Sequence, residues 1–363
     1  MSTTALARRP RARRPLAVAG LALLALLASA CQGTWGIRTS YRSYVAGPGG
    51  QGSITPEDGV VWKDAAGPGK GPFTWNVDWA TFDPETTTGS VQMKGGVVTK
   101  AHPLGDAHAL ELSVWNPRLD IDGDEGTLVA DLTYRPFTGT DPTTLPAIEA
   151  ATDVPFATVD LSGVGWTRGS GGYYSIKDAP MVGIDAAMEL IGWDDFYGTE
   201  VALDPLTVSF DPDTFAPQLF PAPQVVVSQT EGLRPGDQVI VWGRGFDPAA
   251  HTGTRPPLSG QPSGHYVVFG RFADDWAPSG GAPSSARSVI AQRWAVPAAQ
   301  HLALDPAQTN ASFTRLDELG RFQTVLTVGA GGTTGTYGVY TYAASGAVDA
   351  AQELAIPVQL IGG

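Results

Sequence analysis

The chain has 363 residues, 42% hydrophobic and only 16% charged, with 45 glycines and 29 prolines. That hydrophobic share can build packed cores, so a chain disordered throughout is excluded, and at about 150 residues per domain the length predicts two domains. The net charge of −13 repels phosphate backbones and speaks against a nucleic-acid binder. Abundant Gly, Pro, Thr and Val with few Lys and Glu predict a mainly β architecture rather than a helical bundle.

Five arginines, Arg8, Arg9, Arg11, Arg13 and Arg14, precede an apolar run, Leu16–Leu27, and the small residues Ala28-Ser29-Ala30. This is the layout of a secretory signal, residues 1–30, and the run falls short of the ~20 residues of a spanning helix. Cys31 follows at once and is the single cysteine. It cannot form an intramolecular disulfide, and thiolate-built zinc or iron–sulfur sites are excluded. A cysteine placed there resembles a bacterial lipobox, with Ala28 where leucine is usual. The resemblance implies lipidation of Cys31 and a position on the extracellular face of the cell membrane, with that lipid as the membrane attachment.

In chain order, residues 34–45 predict one amphipathic helix. Ile37, Tyr41, Tyr44 and Val45 form a stripe, Thr34 is placed to N-cap it, and Gly47-Pro48 stops it. Strands are then expected at Phe73–Phe82, Ser90–Thr99, Ala109–Asn116, Gly126–Tyr134, Asp160–Trp166 and Val201–Phe210, with a short helix near Ala186–Phe196. Pro212, Pro217, Pro221 and Pro223 mark a stiff linker, 216–223, between a first domain, 31–215, and a second, 224–363. The second offers strands at Gln224–Ser228, Gln238–Trp242, His265–Phe272, Gln323–Val328, Tyr337–Ala343 and Glu353–Leu360. Their spacing predicts an Ig-like β-sandwich, with loops near 249–262 and 274–288.

No enzyme signature stands in the chain: there is no His-Glu-x-x-His, no Gly-x-Ser-x-Gly and no Walker loop, so no catalytic residue is assigned. Gly47-Pro48-Gly49-Gly50-Gln51-Gly52 matches Gly-x-Gly-x-x-Gly but follows a helix, which fits a glycine turn and not a dinucleotide site. Asp120, Asp122 and Asp124 depart from calcium-loop spacing and fit a hairpin turn better. Of the five histidines, His251 and His301 are expected in solvated loops and His265 at a strand end. Seven of the ten tryptophans fall in residues 31–215, as does the Tyr41/Tyr44 pair. Core packing accounts for most such rings. A tyrosine backed by His102 or His108 is also a fit ligand pair for ferric iron, because phenolate is a hard anion and tyrosine serves as an axial haem ligand.

Trp35-Gly36-Ile37-Arg38-Thr39-Ser40-Tyr41-Arg42-Ser43-Tyr44-Val45 resembles the opening motif of HtaA-type domains. Gly95–His102, Leu110–Arg118 with its Asn116-Pro117-Arg118, Gly126–Asp131, Phe196-Tyr197-Gly198 and Leu203–Leu206 resemble later family segments in the same order. The resemblance covers about residues 34–211. It implies a β-rich domain with a short helix that carries the haem ligand, and surface capture and relay of haem b for iron uptake. It also implies other surface haem carriers or an importer's binding protein as partners. It assigns Tyr44 as axial ligand, His102 or alternatively His108 as the histidine bonded to it, and Ser40 and Tyr41 as pocket residues. Leu233–Val239, Gly243–Asp247 and Gly338–Ala344 resemble Ig-like domains appended to HtaA domains, similar to the neocarzinostatin apoprotein fold. The competing reading is a structural or adhesive surface lipoprotein with this fold and no haem.

Overall fold

A computed structural model of the chain describes residues 31–62, 69–212, 222–332 and 335–361. The expected signal peptide and most of the proline-rich linker lie outside the described residues. Two β-rich bodies, each with its own core, make up the rest.

The first body holds β1 (Gln32–Trp35), β2 (Ser53–Glu57), β3 (Val61–Trp62), β4 (Phe73–Asp83), β5 (Thr88–Lys94), β6 (Gly96–Leu104), β7 (Ala107–Asp122), β8 (Glu125–Tyr134), β9 (Glu149–Asp160), β10 (Tyr174–Ala179), β11 (Met181–Gly183) and β12 (Leu206–Phe210). They form one sheet in the order β10-β12-β1-β4-β5-β7-β8-β9-β11, with β6 also on β7, β2 on β6 and β3 on β4. Its buried centre includes Trp35, Phe73, Trp75, Met93, Leu128 and Phe156, each contributing about 1.5–3 kcal/mol through burial.

The helix expected over 34–45 is shorter and later: α1 is Thr39–Ala46, with Arg38 at its N-cap and no side-chain cap there. Thr34 belongs to β1, which is claimed from both sides by β12 and β4, so tertiary pairing overrides the helical spacing. The run Ser90–Thr99 is two strands, because Gly95 turns at φ 101°, where a Cβ would meet the Glu57 and Asp58 carbonyls at 2.8 Å. The strand expected at Asp160–Trp166 lies before it, as β9. The short helix is split into α2 (Asp185–Leu190) and α3 (Asp194–Tyr197), with Gly192 at φ 69° between them. In place of a calcium loop, Asp120 accepts hydrogen bonds from Ser90 on the neighbouring β5 and from Arg118 on its own strand.

The second body holds β13 (Gln224–Val227), β14 (Gln238–Arg244), β15 (His265–Phe272), β16 (Arg287–Pro297), β17 (Phe313–Leu316), β18 (Phe322–Thr327), β19 (Thr336–Ala343) and β20 (Leu354–Pro357), with helix α4 (Ala298–Leu304) after β16. Two sheets, β13-β14-β18 and β17-β16-β15-β19-β20, enclose Val239, Val241, Phe246, Val267, Phe269, Leu326 and Val339 as a sandwich. Ile148 of the first body is buried in that same core, and its backbone N–H donates to the Asp237 carboxylate at 2.7 Å.

Candidate functional site

The segment after β1 is fastened before it becomes a helix. Ile37 takes φ 64°. The α1 N-terminus, lacking its own cap, borrows one from the loop before β12: the Thr39 N–H and hydroxyl donate to Asp204 at 2.7 and 2.9 Å. Arg42, 1% exposed, pairs with the same carboxylate at 2.6 Å and also donates to the Gly36 and Lys70 carbonyls. A Cβ on Gly36 would fall 2.2 Å from Asp204 Oδ2 and 2.3 Å from Arg42, so the Trp-Gly step leaves room for the ion pair. Arg42 and Asp204 thus fix where α1 points, a role that sequence reasoning missed although both stand in family-like motifs.

The two tyrosines of α1 part company. Tyr41 is buried, its ring 4.8 Å from Trp193 and its hydroxyl 2.7 Å from Thr99 Oγ1. Burial drives its phenol well above the usual range. Tyr41 therefore supports the helix from the core side and does not join the exposed face as a pocket residue was expected to. Tyr44 is 42% exposed, and its hydroxyl is hydrogen-bonded to Nε2 of His102 at 2.6 Å. The structure brings His102, and not His108, to Tyr44. His108 lies on β7 opposite Pro103, where burial lowers its pKa. Ser40, one turn before Tyr44 on the helix surface, is exposed and accepts from Arg38 Nε at 2.9 Å.

Backbone geometry aims the histidine. Along β6, Val97 and Ala101 enter the first body's core while Val98 packs with Trp115 and Trp242 on the reverse side. Regular alternation would send His102 to the Val98 side. Instead His102 takes φ 54°, a left-handed conformation uncommon for non-glycine residues, and its ring meets Tyr44. Its N–H donates to the Gly50 carbonyl at 2.7 Å. The glycine turn makes that contact possible: a Cβ on Gly52 would lie 1.9 Å from the Lys100 carbonyl, and one on Gly50 2.5 Å from the Tyr44 carbonyl.

Two further rings extend the pair. Phe137, in the β8–β9 connection, lies 5.8 Å from His102 and 6.0 Å from Phe196. Phe196, on α3, is 63% exposed. Tyr44, His102, Phe137 and Phe196 form an aromatic arc with the phenol and imidazole at one end, a surface that a flat apolar ligand can lie against. Phe137 carried no sequence signal; Phe196 stood in a quoted motif without a role. A separate cleft of about 640 Å³ between the two bodies is lined by Trp79, Arg118, Trp242, Arg244 and Phe322 and does not include Tyr44.

The other expectations resolve as follows. Cys31 is half-buried at the head of β1, with its thiol pushed up by burial. His251 and His301 are not solvated: His251 donates to the Gly264 carbonyl at 2.7 Å, and His301 is buried in α4 against Phe313. Among the described residues no cluster of three or more His, Cys, Asp or Glu is arranged to hold a metal ion, and no helix is long and apolar enough to cross a membrane.

Fold and site define a β-rich domain that presents a tyrosine–histidine pair on an open aromatic face. Residues 30–209 match the HtaA family model, and the chain belongs to that family through this domain. Solved structures similar to it include the N-terminal domain of HtaA from Corynebacterium glutamicum, at 26% identity and TM-score 0.42, covering 50% of this chain and 96% of that one. The heme-binding protein HtaB from the same organism aligns at 25% identity and TM-score 0.40, covering 49% and 90%. The C-terminal domain of HtaA aligns at 20% and 0.40, covering 49% and 94%. No curated protein matched the chain in sequence.

Proposed function

We propose that this protein is a surface haem carrier: it binds ferric haem b as cargo through the Tyr44 phenolate and relays it to another carrier or an importer's binding protein. The observation that carries the reading is the exposed Tyr44 hydroxyl 2.6 Å from His102 Nε2, in a chain whose family model is HtaA. Haem supplies an iron centre open to an axial oxygen ligand. The protein's part is to deprotonate and hold that oxygen. As Tyr44 gives up its proton, His102 Nε2 is placed to take it, and the imidazole N–H then donates back to the phenolate and strengthens it as a ligand. Phe137 and Phe196 offer apolar faces to the macrocycle, and Ser40 and Arg38 offer donors at the edge of the same surface. The role is binding and not catalysis.

Purified protein titrated with hemin is expected to develop a Soret band that Tyr44→Ala strongly diminishes. An unchanged spectrum in the variant removes Tyr44 as ligand, and a flat titration of the intact protein returns the chain to the structural or adhesive reading. Localisation to the outer membrane face through a lipid on Cys31 belongs to the same proposal. β1 begins one residue after Cys31, so such an anchor would hold this end of the sheet at the bilayer with no intervening stalk. Wild-type protein is expected to take up labelled fatty acid and Cys31→Ala to take up none; an unlabelled wild type refutes the anchor. The sandwich is assigned to the Ig-like class as part of this proposal.

A further inference from the structure

The strand pair that carries His102 outruns its neighbours. β2 follows β6 only to Lys100, and β8 follows β7 only to Leu112, opposite Tyr134, with one more backbone bond from Arg135 N–H to the Glu111 carbonyl at 2.9 Å. Residues 101–104 and 107–110 therefore form a two-stranded arm, and an arm of two strands is marginally stable alone. Yet this arm holds His102 in a left-handed conformation, which persists only where surrounding contacts over-determine it. On one side the contacts are the Gly50 carbonyl and Tyr44.

On the reverse side they come from the sandwich. At the root of the strand pair, before the arm begins, Trp242 of β14 packs against Trp115 of β7 with ring centroids 4.9 Å apart and planes tilted by 34°, Val98 and Ile240 complete the cluster, and the Trp242 indole N–H donates to the buried Asp131 at 2.9 Å. Nearer the arm, Gln229 donates to Glu111 Oε2 at 3.3 Å. Glu111 also faces Lys100 at 3.7 Å and Arg135 at 2.8 Å. The loop reaches the hairpin tip: a Cβ on Gly232 would lie 3.7 Å from the Asp106 carbonyl and from Lys100 Nζ.

We propose that the sandwich is a working part of the tyrosine–histidine site: with Trp242 gripping the root of the β6–β7 pair and the Gln229–Gly232 loop set against the base and tip of the arm, it braces the arm from behind and so sets how firmly His102 meets Tyr44. Trp242 and Gln229 are positioning residues; neither touches the cargo surface. The inference rests on the proposed haem reading for its effect on cargo, but its structural core is testable without haem.

The experiment uses the full chain with Trp242→Ala, Trp242→Phe and Gln229→Ala. In ligand-free protein, hydrogen–deuterium exchange is followed over residues 100–106, which contain the His102 N–H. Hemin loss to excess apomyoglobin is timed in parallel, and thermal melts verify folding. Trp242→Ala is expected to speed exchange in 100–106 and hemin loss by about tenfold, as for removal of one buried hydrogen bond and its ring contact. Trp242→Phe, which keeps a ring contact and loses the N–H, is expected to fall between, and Gln229→Ala to speed exchange in 100–106 and hemin loss while leaving 240–243 unchanged. Should Trp242→Ala fail to fold, the two milder variants decide. Unchanged exchange in 100–106 with faster exchange at 240–243 makes the sandwich a passenger and overturns the proposal. Faster exchange in 100–106 with no hemin binding by wild type upholds the brace and sinks the haem reading instead.

Discussion

Removing the His102 side chain separates two effects that coincide at one residue: the bond to Tyr44 and the left-handed backbone. A hydrogen bond to a charged partner is worth about 1.5–3 kcal/mol. Losing it from the phenolate therefore predicts hemin loss faster by about 10- to 150-fold, at 1.36 kcal/mol per decade. That matches the about 10- to 100-fold typical for partners of metal ligands. At φ 54° an alanine carries a left-handed penalty of about 1–2 kcal/mol, whereas glycine carries almost none. His102→Ala and His102→Gly are thus expected to release hemin equally fast, measured by stopped-flow transfer to apomyoglobin, while the alanine variant unfolds at lower denaturant. If hemin loss instead tracks stability, with the glycine variant holding hemin like the wild type, then the 2.6 Å bond does nothing for the cargo and the reasoning fails.

Asp204→Ala leaves Arg42 buried without its carboxylate and strips the first turn of α1 of its cap. Breaking a buried pair costs about 3–5 kcal/mol. Asp204 is partly exposed, so the lower end of that range is expected in a urea melt; a midpoint within experimental scatter of wild type would show that the pair does not hold α1. Gly36→Ala is expected to weaken hemin binding through the same contact, since its Cβ collides with both partners; wild-type hemin binding and stability would contradict this. In the sandwich, burial pushes the His265 imidazole down to about 3, and neither ring nitrogen has a partner. The unfolded chain takes up this proton below about pH 6.5 and the folded one only near 3, so stability rises with pH across that window by up to about 1.4 kcal/mol per unit. His265→Phe, matching the stack on Phe246 at 4.1 Å, is expected to raise the melting temperature at pH 5 and flatten the acid side; an unchanged slope refutes the assignment.

How much of this was legible in the sequence depended on whether a residue's partner was near in the chain. Strands with a short apolar run, such as His265–Phe272, stand at the predicted limits, because burial on both sides of a central strand writes itself into composition. The 3.6-residue stripe in 34–45 misplaced the start of α1, since Thr34 satisfies strand pairings whose partners, Thr74 and Thr207, lie some 40 and 170 residues away. β16 and β17 were missed: Arg287, Ser288, Gln292 and Arg293 break any regular alternation in the first part of β16, whose buried residues gather at its end, and it pairs in parallel with β17. Tyr44 and His102 were named from motifs, yet no local pattern says that His102 leaves strand geometry to reach Tyr44. That information sits in Gly50 and Gly52, whose missing side chains let the turn approach β6.

The proposed haem role carries a choice between relay and storage, and the openness of the surface around Tyr44 is the reason the proposal takes relay. A store would bury its cargo in a closed cavity with a ligand on each face. Here the phenol stands on an open surface, its neighbour Phe196 is exposed more than it is, and the larger cleft lies elsewhere. An open site binds and releases without moving a lid, so its selectivity must come from the rigidity of what stands behind it. That rigidity is visible in a buried Arg42 paired with Asp204 under the helix, a histidine held off its strand path, and a first body plugged into the second by Ile148. Asp131 belongs to the same frame: burial pushes it up to about 6, while Trp242, Gln323 and the Asp153 N–H all donate to it. Its proton favours the folded, docked state below pH 4, and that contribution fades as pH rises through 6, opposite in sign to His265. Between about pH 4 and 6 the two groups therefore pull stability in opposite directions, and above about pH 6.5 neither changes its proton count on folding.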